Sequence, residues 1–447
     1  MRRELGRFET AATLTNHHAP FVVVVVLRLD HAPPPERLAA ALVALQRRRP
    51  LLRVRIVERA GRFWFEPDGT PTTPLRLAER TDEETWKWVA EEELNAPFDA
   101  AAGPLLRCTC LLPPAAPDPT AGGGPGEIVL TFHHAAMDAA SGGALVEELL
   151  RLCDPAAGPL PVPAEAGETG DEVPAAATIL PPVEGRFPPA WRGLRARVRL
   201  AGFLGHQLAD EVAYRFRTRG ARRPPIPGRT RCRVLPVELP KAATAALART
   251  ARRQRATVNG ALAAAFLLAV NRKLYGGGAP ALRYMTFADL RPHVVPPVVD
   301  GALGGYLAML RYTARVEPAR PFWELARDIS RQVADGGRRG DRFGALLMSE
   351  WVMRTLLRRG SERMSATAVS YSGVTRLERS FGRIELRGLH AFVSNLELGP
   401  EYTALARLLD GRLQLDIVYL AGDMDRALAE AIAGDILAAL TGAAETE

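Results

Sequence analysis

Two adjacent histidines and an aspartate form the clearest chemical pattern in the sequence. His133 and His134 end the apolar run IVLTF, and Asp138 follows four residues after the second histidine. A histidine at the end of a buried strand can keep one ring nitrogen free while a backbone carbonyl fixes the other, as a general base requires. Such a base could take the proton from a hydroxyl or an amine that attacks a thioester carbonyl. The pattern predicts a catalytic group of His133, His134 and Asp138.

The aspartate itself has more than one interpretation. Its carboxylate could orient the histidine ring, or it could pair with an arginine and hold the loop in shape. We favour the second role, because a single loop rarely returns a side chain to the ring beside it. A plainer alternative is that the histidines only end a strand and Asp138 only caps the next helix, SGGALVEELLRL. Short motifs of this kind have many false positives, so spacing alone leaves the choice open.

Four other residues are weaker candidates for an oxyanion or tunnel site. Gly142, at the start of that helix, leaves room for a ligand and carries a backbone N–H that could bind it. Ser370, Ser372 and Asn395 could donate hydrogen bonds to the oxyanion of a tetrahedral intermediate. Each of the three could instead make an ordinary turn or strand-end hydrogen bond. The sequence has no Gly-x-Ser-x-Gly elbow, which favours direct transfer over a covalent intermediate.

The elements that must position these residues alternate between strands and helices. FVVVVVLRLD predicts a strand covered on both faces, and a helix and another strand follow it. Residues 113–127 predict a flexible loop, and residues 154–189, rich in Pro, Ala, Gly and acid, predict a linker. A chain of 447 residues is long for a single hydrophobic core. We therefore predict an α/β (α+β) chain of two halves, residues 1–170 and 171–447, which could be built alike.

Other segments complete this outline. Further strands are predicted at RFWFEP, GPLLRCTCLLP, RCRVLPVEL, ALRYMTFADL, LAMLRYTARV, ATAVSYSG, LHAFVSNLEL and RLQLDIVYL. Further helices are predicted at TDEETWKWVAEEELNAPF with Thr81 as its N-cap, at AWRGLRARVRLAGFLGHQLADEVAYRFRTRG, at KAATAALARTARRQRATVNGALAAAFLLAVNRKLYG with a break near Ala256, at FWELARDISRQVADG and at DRALAEAIAGDILAAL.

Composition argues against several classes of protein. Lys and Arg number 58 against 50 Asp and Glu, but only three are lysines, which indicates an arginine bias rather than nucleic-acid binding. The four cysteines match no zinc or redox spacing, so we expect reduced thiols and no metal site. The apolar run 261–270 is too short to span a membrane. We expect a cytoplasmic monomer with no transmembrane segment, no nucleic-acid partner and no bound cofactor.

The histidine motif resembles the His-His-x-x-x-Asp signature of the condensation-domain superfamily of acyltransferases, which shares its fold with chloramphenicol acetyltransferase. Three further stretches carry the resemblance. LAAALVALQRRRPLLRVRI is similar to the family's first helix and strand, and ATVNGALAAAFLLAV to a helix of its second half. FADLRPHV followed by LGGYLAML is similar to its Asn/Asp-x-Arg-Pro and Leu-Gly-Asn elements. The four elements occur in the family's order and span most of the chain.

The resemblance implies a fold and a set of roles. Two chloramphenicol acetyltransferase-like halves would form a V with an active-site tunnel between them. The first half would carry the motif, with His134 as general base, and the second would complete the tunnel. Asp138 would be a structural partner of an arginine, for which Arg291 is the candidate. The family usually has Gly where this chain has Ala139. The substitution leaves three possibilities open: an altered loop, an altered donor channel or lost activity.

The implied reaction is transfer of an acyl group from acyl-CoA, or from the phosphopantetheine arm of an acyl carrier protein, to a small-molecule alcohol. The Asp-Phe-Gly-Trp-Gly element of many peptide-forming condensation domains is missing, which favours ester formation. Two alternatives remain open: an amide-forming enzyme with an amine acceptor, and a non-catalytic member that recruits a carrier or another partner.

Overall fold

The structure is a computed structural model, and it describes residues 2–67, 69–113, 124–154, 156, 158, 160, 179–218, 223–226, 228, 231–278, 281–299, 301–317 and 319–445. Most of the predicted loop 113–127, much of the predicted linker 154–189 and the predicted boundary after residue 170 lie outside these ranges. The chain forms two compact units. The first contains residues 1–185, 296–306 and 377–394, and the second contains residues 186–295, 307–376 and 395–447.

Strands and helices alternate along both units. The strands are β1 (Arg3–Glu4), β2 (Val22–Leu29), β3 (Arg55–Arg59), β4 (Arg62–Glu66), β5 (Leu75–Glu79), β6 (Leu106–Leu112), β7 (Gly126–His133), β8 (Cys232–Leu239), β9 (Ala281–Asp289), β10 (Leu307–Arg315), β11 (Thr367–Val374), β12 (Ser380–Phe381), β13 (Ile384–Val393), β14 (Tyr402–Leu409) and β15 (Arg412–Leu420). The helices are α1 (Arg7–His18), α2 (Pro35–Arg48), α3 (Thr85–Asn95), α4 (Ala139–Cys153), α5 (Gly193–Arg217), α6 (Lys241–Arg253), α7 (Val258–Leu274), α8 (Phe322–Arg339), α9 (Asp341–Arg359) and α10 (Arg426–Glu445).

The first unit is built on a six-stranded sheet in the order β12-β13-β2-β7-β6-β5. The valine run of β2 lies in its interior, with Val22 to Val26 all buried, because both faces of a central strand are covered. β2 pairs antiparallel with β7, and the register sets Val22 opposite His133. A smaller sheet, β1-β4-β3, belongs to the same unit. The register places the end of β7, where the histidines lie, beside the start of β2.

The second unit has its own six-stranded sheet, in the order β10-β9-β11-β14-β15-β8. Helices α7 and α10 cover it with apolar residues. α10 is long and apolar enough to cross a membrane by length and composition alone. Seven of its residues are buried, and Tyr402 Oη donates to the Ala429 carbonyl at 2.8 Å. α10 therefore packs as a core helix of this unit.

Some elements depart from the sequence prediction. The helix expected from Thr81 begins at Thr85, with Glu84 at its N-cap position. α1, α9 and the strands β1, β5, β12 and β14 were not predicted. α1 is rich in threonine, which lowers its helix propensity. Its first turn is held instead by buried Glu9, whose carboxylate accepts the Gly6 N–H at 2.6 Å and pairs with Arg3 at 2.6 Å. These contacts at the start of the helix offset its low propensity.

Candidate active site

His134 has the geometry of a base with one nitrogen fixed. Its Nδ1 lies 3.0 Å from the Met137 carbonyl oxygen, which can only accept, so Nδ1 carries the proton. The lone pair is then on Nε2, and no hydrogen bond reaches Nε2 within the described part of the chain. Phe21 stacks on the ring with centroids 4.9 Å apart, and Phe8 meets it edge-on at 5.5 Å. The three contacts select one tautomer and one ring orientation.

Burial also sets the protonation state of His134. The side chain is 7% exposed, and desolvation lowers its pKa below the usual value of 6.5. The Met137 carbonyl and the charge of Asp138 act in the opposite direction, but burial is the larger effect. The ring is therefore neutral at pH 7, and its free lone pair can accept a proton.

His133, although predicted in the catalytic group, points to the other side of the strand end and is fully buried. Its Nδ1 accepts the Ala135 N–H at 3.1 Å, and Phe98 packs edge-on at 6.0 Å. Nε2 is buried with no hydrogen-bond partner in the described chain. These contacts shape the turn after β7 and leave His133 no open face among the described residues, and its place in the catalytic group stays a prediction.

The burial of His133 predicts acid lability. Desolvation lowers its pKa from 6.5 to about 3, so between these values the unfolded chain binds one more proton than the folded chain. This contribution to stability is complete above pH 6.5 and is lost as pH falls, at about 1.4 kcal/mol per pH unit. We expect His133→Asn, whose amide oxygen can still accept the Ala135 N–H, to melt closer to the wild type at pH 5 than at pH 8. Melting temperatures of the variant and the wild type that differ by the same amount from pH 5 to 8 would contradict this. His206→Asn, at an exposed histidine, is the matched control.

Asp138 ties the histidine loop to two other pieces of the first unit. Its Oδ1 accepts the Ser141 N–H at 2.9 Å, which caps α4, and its Oδ2 accepts the Tyr306 N–H at 2.9 Å. Its own N–H donates to the Gly304 carbonyl at 3.1 Å. The side chain is 2% exposed. One buried carboxylate thus holds the start of α4 and the segment 303–306 together.

The segment 303–306 in turn supports His134. Ser141 Oγ donates to the Gly304 carbonyl at 3.0 Å. Asp138 and Ser141 therefore both bind this segment by hydrogen bonds. A side chain on Gly305 would meet the ring of Phe8 at 2.7 Å, so only glycine allows the backbone to lie this close. Phe8 is the ring that meets His134 edge-on. Glycine is therefore needed at the second glycine position of LGGY so that Phe8 can pack there.

Gly142 packs against Phe132 of the sheet, at a position where the sequence suggested room for a ligand. Its N–H donates to the Asp138 carbonyl at 2.9 Å, and a Cβ at this position would lie 2.9 Å from Cζ of buried Phe132. The N–H is thus committed to the first turn of α4. The missing side chain lets the helix approach the sheet.

Gly142 and its neighbour form a matched pair for mutation. We expect Gly142→Ala to destabilise the protein by about 1–3 kcal/mol, because the methyl group overlaps Phe132. Gly143 is exposed, with no atom within 4 Å of its Cβ position, so Gly143→Ala should stabilise α4 by up to about 1 kcal/mol. Thermal melting of both variants measures the difference. Equal shifts would show that the Phe132 contact does not limit this position.

Ala139 starts α4 in an ordinary conformation. It is exposed, and it is not among the described non-glycine residues with positive φ, which are Ala60, Arg255 and Asp410. The backbone at this position does not need glycine, so alanine fits without strain.

The remaining predicted site residues belong to the second unit. Arg291 is buried, and its Nη1 lies 3.3 Å from Oδ1 of Asp289; its pairing with Asp138 stays a prediction. Ser370 and Ser372 lie in β11, and Ser372 Oγ donates to the Ala406 carbonyl at 3.4 Å. Asn395 is buried and donates to the Pro400 carbonyl at 2.7 Å, while its Oδ1 accepts the Leu396 N–H. The amide of Asn395 is thus committed to its own loop, and an oxyanion role for the two serines stays a prediction.

Sequence reasoning missed the residues that orient His134. Phe8 and Phe21 pack on the ring, and Ser141 joins α4 to the segment 303–306. Only the register of β2 against β7 could have revealed Phe21, because it sets residue 21 beside residue 134. Phe8 lies in a helix that propensity does not predict, and no local signal marks it.

Solved structures with the same fold are found at low sequence identity. Polyketide synthase associated protein 5 from Mycobacterium tuberculosis is 17% identical, with a TM-score of 0.65 over 99% of this chain and 98% of that one. The trichothecene 15-O-acetyltransferase TRI3 from Fusarium sporotrichioides is 12% identical, with a TM-score of 0.77 over 99% and 95%. The first condensation domain of the calcium-dependent antibiotic synthetase is 16% identical, with a TM-score of 0.66 over 100% and 97%. The predicted α/β fold class is confirmed.

Family models match two separate parts of the sequence. Residues 7–165 match the condensation domain, and residues 228–394 match the C-terminus of phthiocerol/phthiodiolone dimycocerosyl transferase. No curated protein matches the chain. The first match contains the His134 loop and the second contains Arg291 and the segment 303–306. The two family models together match most of the chain, and with the shared fold they match a condensation-superfamily acyltransferase.

Proposed function

We propose that this protein transfers an acyl group from a thioester to an acceptor hydroxyl and so forms an ester. The observation that carries the proposal is the state of His134. The Met137 carbonyl holds the proton on Nδ1, and burial keeps the ring neutral, so Nε2 has an unused lone pair. A histidine held in this way is suited to remove a proton from an attacking nucleophile.

The reaction balances without a cofactor. Nε2 of His134 takes the proton from the acceptor hydroxyl as its oxygen attacks the thioester carbonyl carbon. The tetrahedral intermediate collapses, the carbon–sulfur bond breaks, and the thiolate leaves. The imidazolium then returns its proton to the thiolate, which leaves a free thiol, an ester and a neutral histidine. The Met137 carbonyl stabilises the imidazolium that exists between the two proton transfers.

An alcohol acceptor is supported by fold similarity to a trichothecene 15-O-acetyltransferase and by the match to a dimycocerosyl transferase model. An amine acceptor is the second candidate, because residues 7–165 match the condensation-domain model and a nonribosomal condensation domain has a similar fold. The donor would be acyl-CoA or an acyl carrier protein. The second donor is in keeping with similar folds in polyketide and nonribosomal peptide synthetases.

The test follows free thiol and product mass with a panel of acyl-CoA thioesters and a phosphopantetheinylated acyl carrier protein. Each donor is offered to an equimolar mixture of a primary alcohol and a primary amine. Thiol release with an ester as the main product would support the proposal. An amide as the main product would establish the second candidate. Wild-type protein that transfers from neither donor, while His134→Ala binds the carrier protein equally well, would indicate a non-catalytic recruiting role.

A further inference from the structure

The helix α5 of the second unit carries apolar side chains on its outward face. No residue of this helix is buried. Its half-buried residues recur at helical spacing and mark the face that packs on the unit, among them Ala196, Leu200, Phe203, Gln207 and Tyr214. The opposite face carries an exposed row whose members follow one another at three, four or seven residues. This row, here called the outer stripe, consists of Leu194, Val198, Ala201, Leu208, Val212 and Phe216.

The outer stripe is more than a scatter of exposed apolar residues. Leu194 is 74% exposed, Val198 68% and Leu208 65%. At 1.5 Å per residue, the stripe extends about 33 Å from Leu194 to Phe216. A helix with apolar residues on both faces is normally covered on both. Contiguous exposed apolar surface of this kind marks a site of interaction.

Cations flank the stripe. Arg197 and Arg199 lie about 100° to either side of Val198 around the helix axis, and Arg195 lies one residue beyond Leu194. All three are exposed and have no carboxylate partner in the described part of the chain. The N-terminal half of α5 therefore presents an apolar centre with uncompensated positive charge on both sides.

The carboxylates of α5 do not neutralise this surface. Asp210 accepts a hydrogen bond from Thr313 Oγ1 at 2.8 Å, and Glu211 pairs with Arg283, so both are engaged on the packed side. Arg215, near the C-terminal end, is already paired with Glu211 and with Glu362. Arg217 is exposed in the last turn, whereas Arg195, Arg197 and Arg199 lie together in the first two turns of the helix.

Apolar surface continues from α5 onto α9. Leu204 of α5 is 40% exposed and lines a cavity of about 200 Å³ together with Met348, Trp351 and Val352 of α9. Trp351 is 58% exposed. Tryptophan is enriched where a protein meets the headgroup region of a bilayer, because its ring is apolar and its N–H needs a polar partner.

We propose that the outer stripe of α5 binds the surface of an anionic phospholipid membrane. The apolar centre would enter the boundary between headgroups and acyl chains, and Arg195, Arg197 and Arg199 would contact the phosphates. Charge complementarity selects this occupant. A protein helix seated on the stripe would need carboxylates along both of its flanks, whereas an anionic bilayer offers phosphates on every side. This interaction goes beyond the proposed acyl transfer and does not depend on it.

The test is flotation of the full chain with vesicles of equal parts phosphatidylglycerol and phosphatidylcholine, and with phosphatidylcholine alone. No acyl donor is present, so the result is independent of activity. We expect binding to the anionic vesicles in 0.1 M salt and binding at least tenfold weaker to the neutral ones. The double variant Val198→Gln with Leu208→Gln should bind at least tenfold more weakly, as should Arg195→Gln with Arg199→Gln. All of these positions are exposed, so melting temperatures should not change.

Matched controls carry the same changes elsewhere on exposed positions of the second unit. Val295→Gln with Val374→Gln removes equivalent apolar residues, and Arg249→Gln with Arg252→Gln removes two exposed helical arginines. Both should bind vesicles within twofold of the wild type. No binding of the wild type, or equal loss in the controls, would overturn the proposal. A dimer in solution that Val198→Gln with Leu208→Gln abolishes, without vesicle binding, would overturn it in favour of a second copy of the chain.

Discussion

Replacing His134 with alanine should lower the rate of acyl transfer about a thousandfold, within the range by which a positioned general base accelerates a reaction. The acceptor would keep its proton during attack, because no other neutral nitrogen on this loop is open. His133 cannot substitute, since it is fully buried and its Nδ1 already accepts the Ala135 N–H. We expect the loss in kcat with little change in KM, because the ring acts in the transition state.

A second variant separates the base from its packing. His134→Asn places an amide where Nδ1 was, so it can still donate to the Met137 carbonyl, but it has no basic lone pair. Its activity should fall as far as that of His134→Ala while its melting temperature stays closer to the wild type. His206→Ala, which changes an exposed histidine, is the control for loss of any imidazole. Turnover near the wild-type rate in His134→Ala would remove this residue from the mechanism.

The pH dependence offers a further check on the same residue. Because burial lowers the pKa of His134, its neutral form persists below pH 6.5. The acid limb of kcat/KM should therefore fall at a pH below the ordinary histidine value. A limb above pH 7 would mean that another group controls proton transfer.

The largest loss of stability is expected for Asp138→Ala. The change removes the cap of α4 and the carboxylate oxygen that accepts the buried Tyr306 N–H. A helix cap contributes about 1 kcal/mol, and a buried hydrogen bond to a charged group about 1.5–3 kcal/mol. We expect a loss of about 3 kcal/mol, seen as a fall in melting temperature, together with reduced activity because the segment 303–306 supports Phe8.

Asp138→Asn tests whether both carboxylate oxygens are needed. Asparagine can accept from Ser141 or from Tyr306, but its NH₂ group must then face the other N–H. It should therefore lose most of the stability that Asp138→Ala loses. Asp425→Ala is the matched control, because the carboxylate of this exposed aspartate accepts the Leu428 N–H at 2.8 Å at the start of α10. Equal melting temperatures for Asp138→Ala and Asp425→Ala would show that the hydrogen bond to Tyr306 does not stabilise the fold.

The buried strand and the turn after it were predicted from the sequence, because each depends on local pattern; His134 as the general base stays a prediction. The valine run of β2 and the apolar run of β7 predict buried strands. The sequence favoured an arginine partner for Asp138 and left a helix cap as the plainer alternative, and in the structure its side chain caps α4. The surroundings of the base could not be predicted, because Phe8, Phe21 and Tyr306 reach it through tertiary packing. Gly142 illustrates the same limit: the sequence shows a glycine, but only the position of Phe132 shows what the glycine is for.

The first unit is assembled from segments that lie far apart in the chain, so it cannot be completed early during synthesis on the ribosome. The central strand β2 is synthesised early, but one of its two neighbouring strands, β13, begins only at residue 384. Tyr306, whose N–H binds Asp138, is also synthesised long after the histidine loop. Until then one edge of a strand of consecutive valines has unpaired backbone groups, which is a template for aggregation. A fragment ending near residue 185 should therefore be insoluble even though it contains the whole histidine loop. The nascent chain has to be protected until most of its length has emerged.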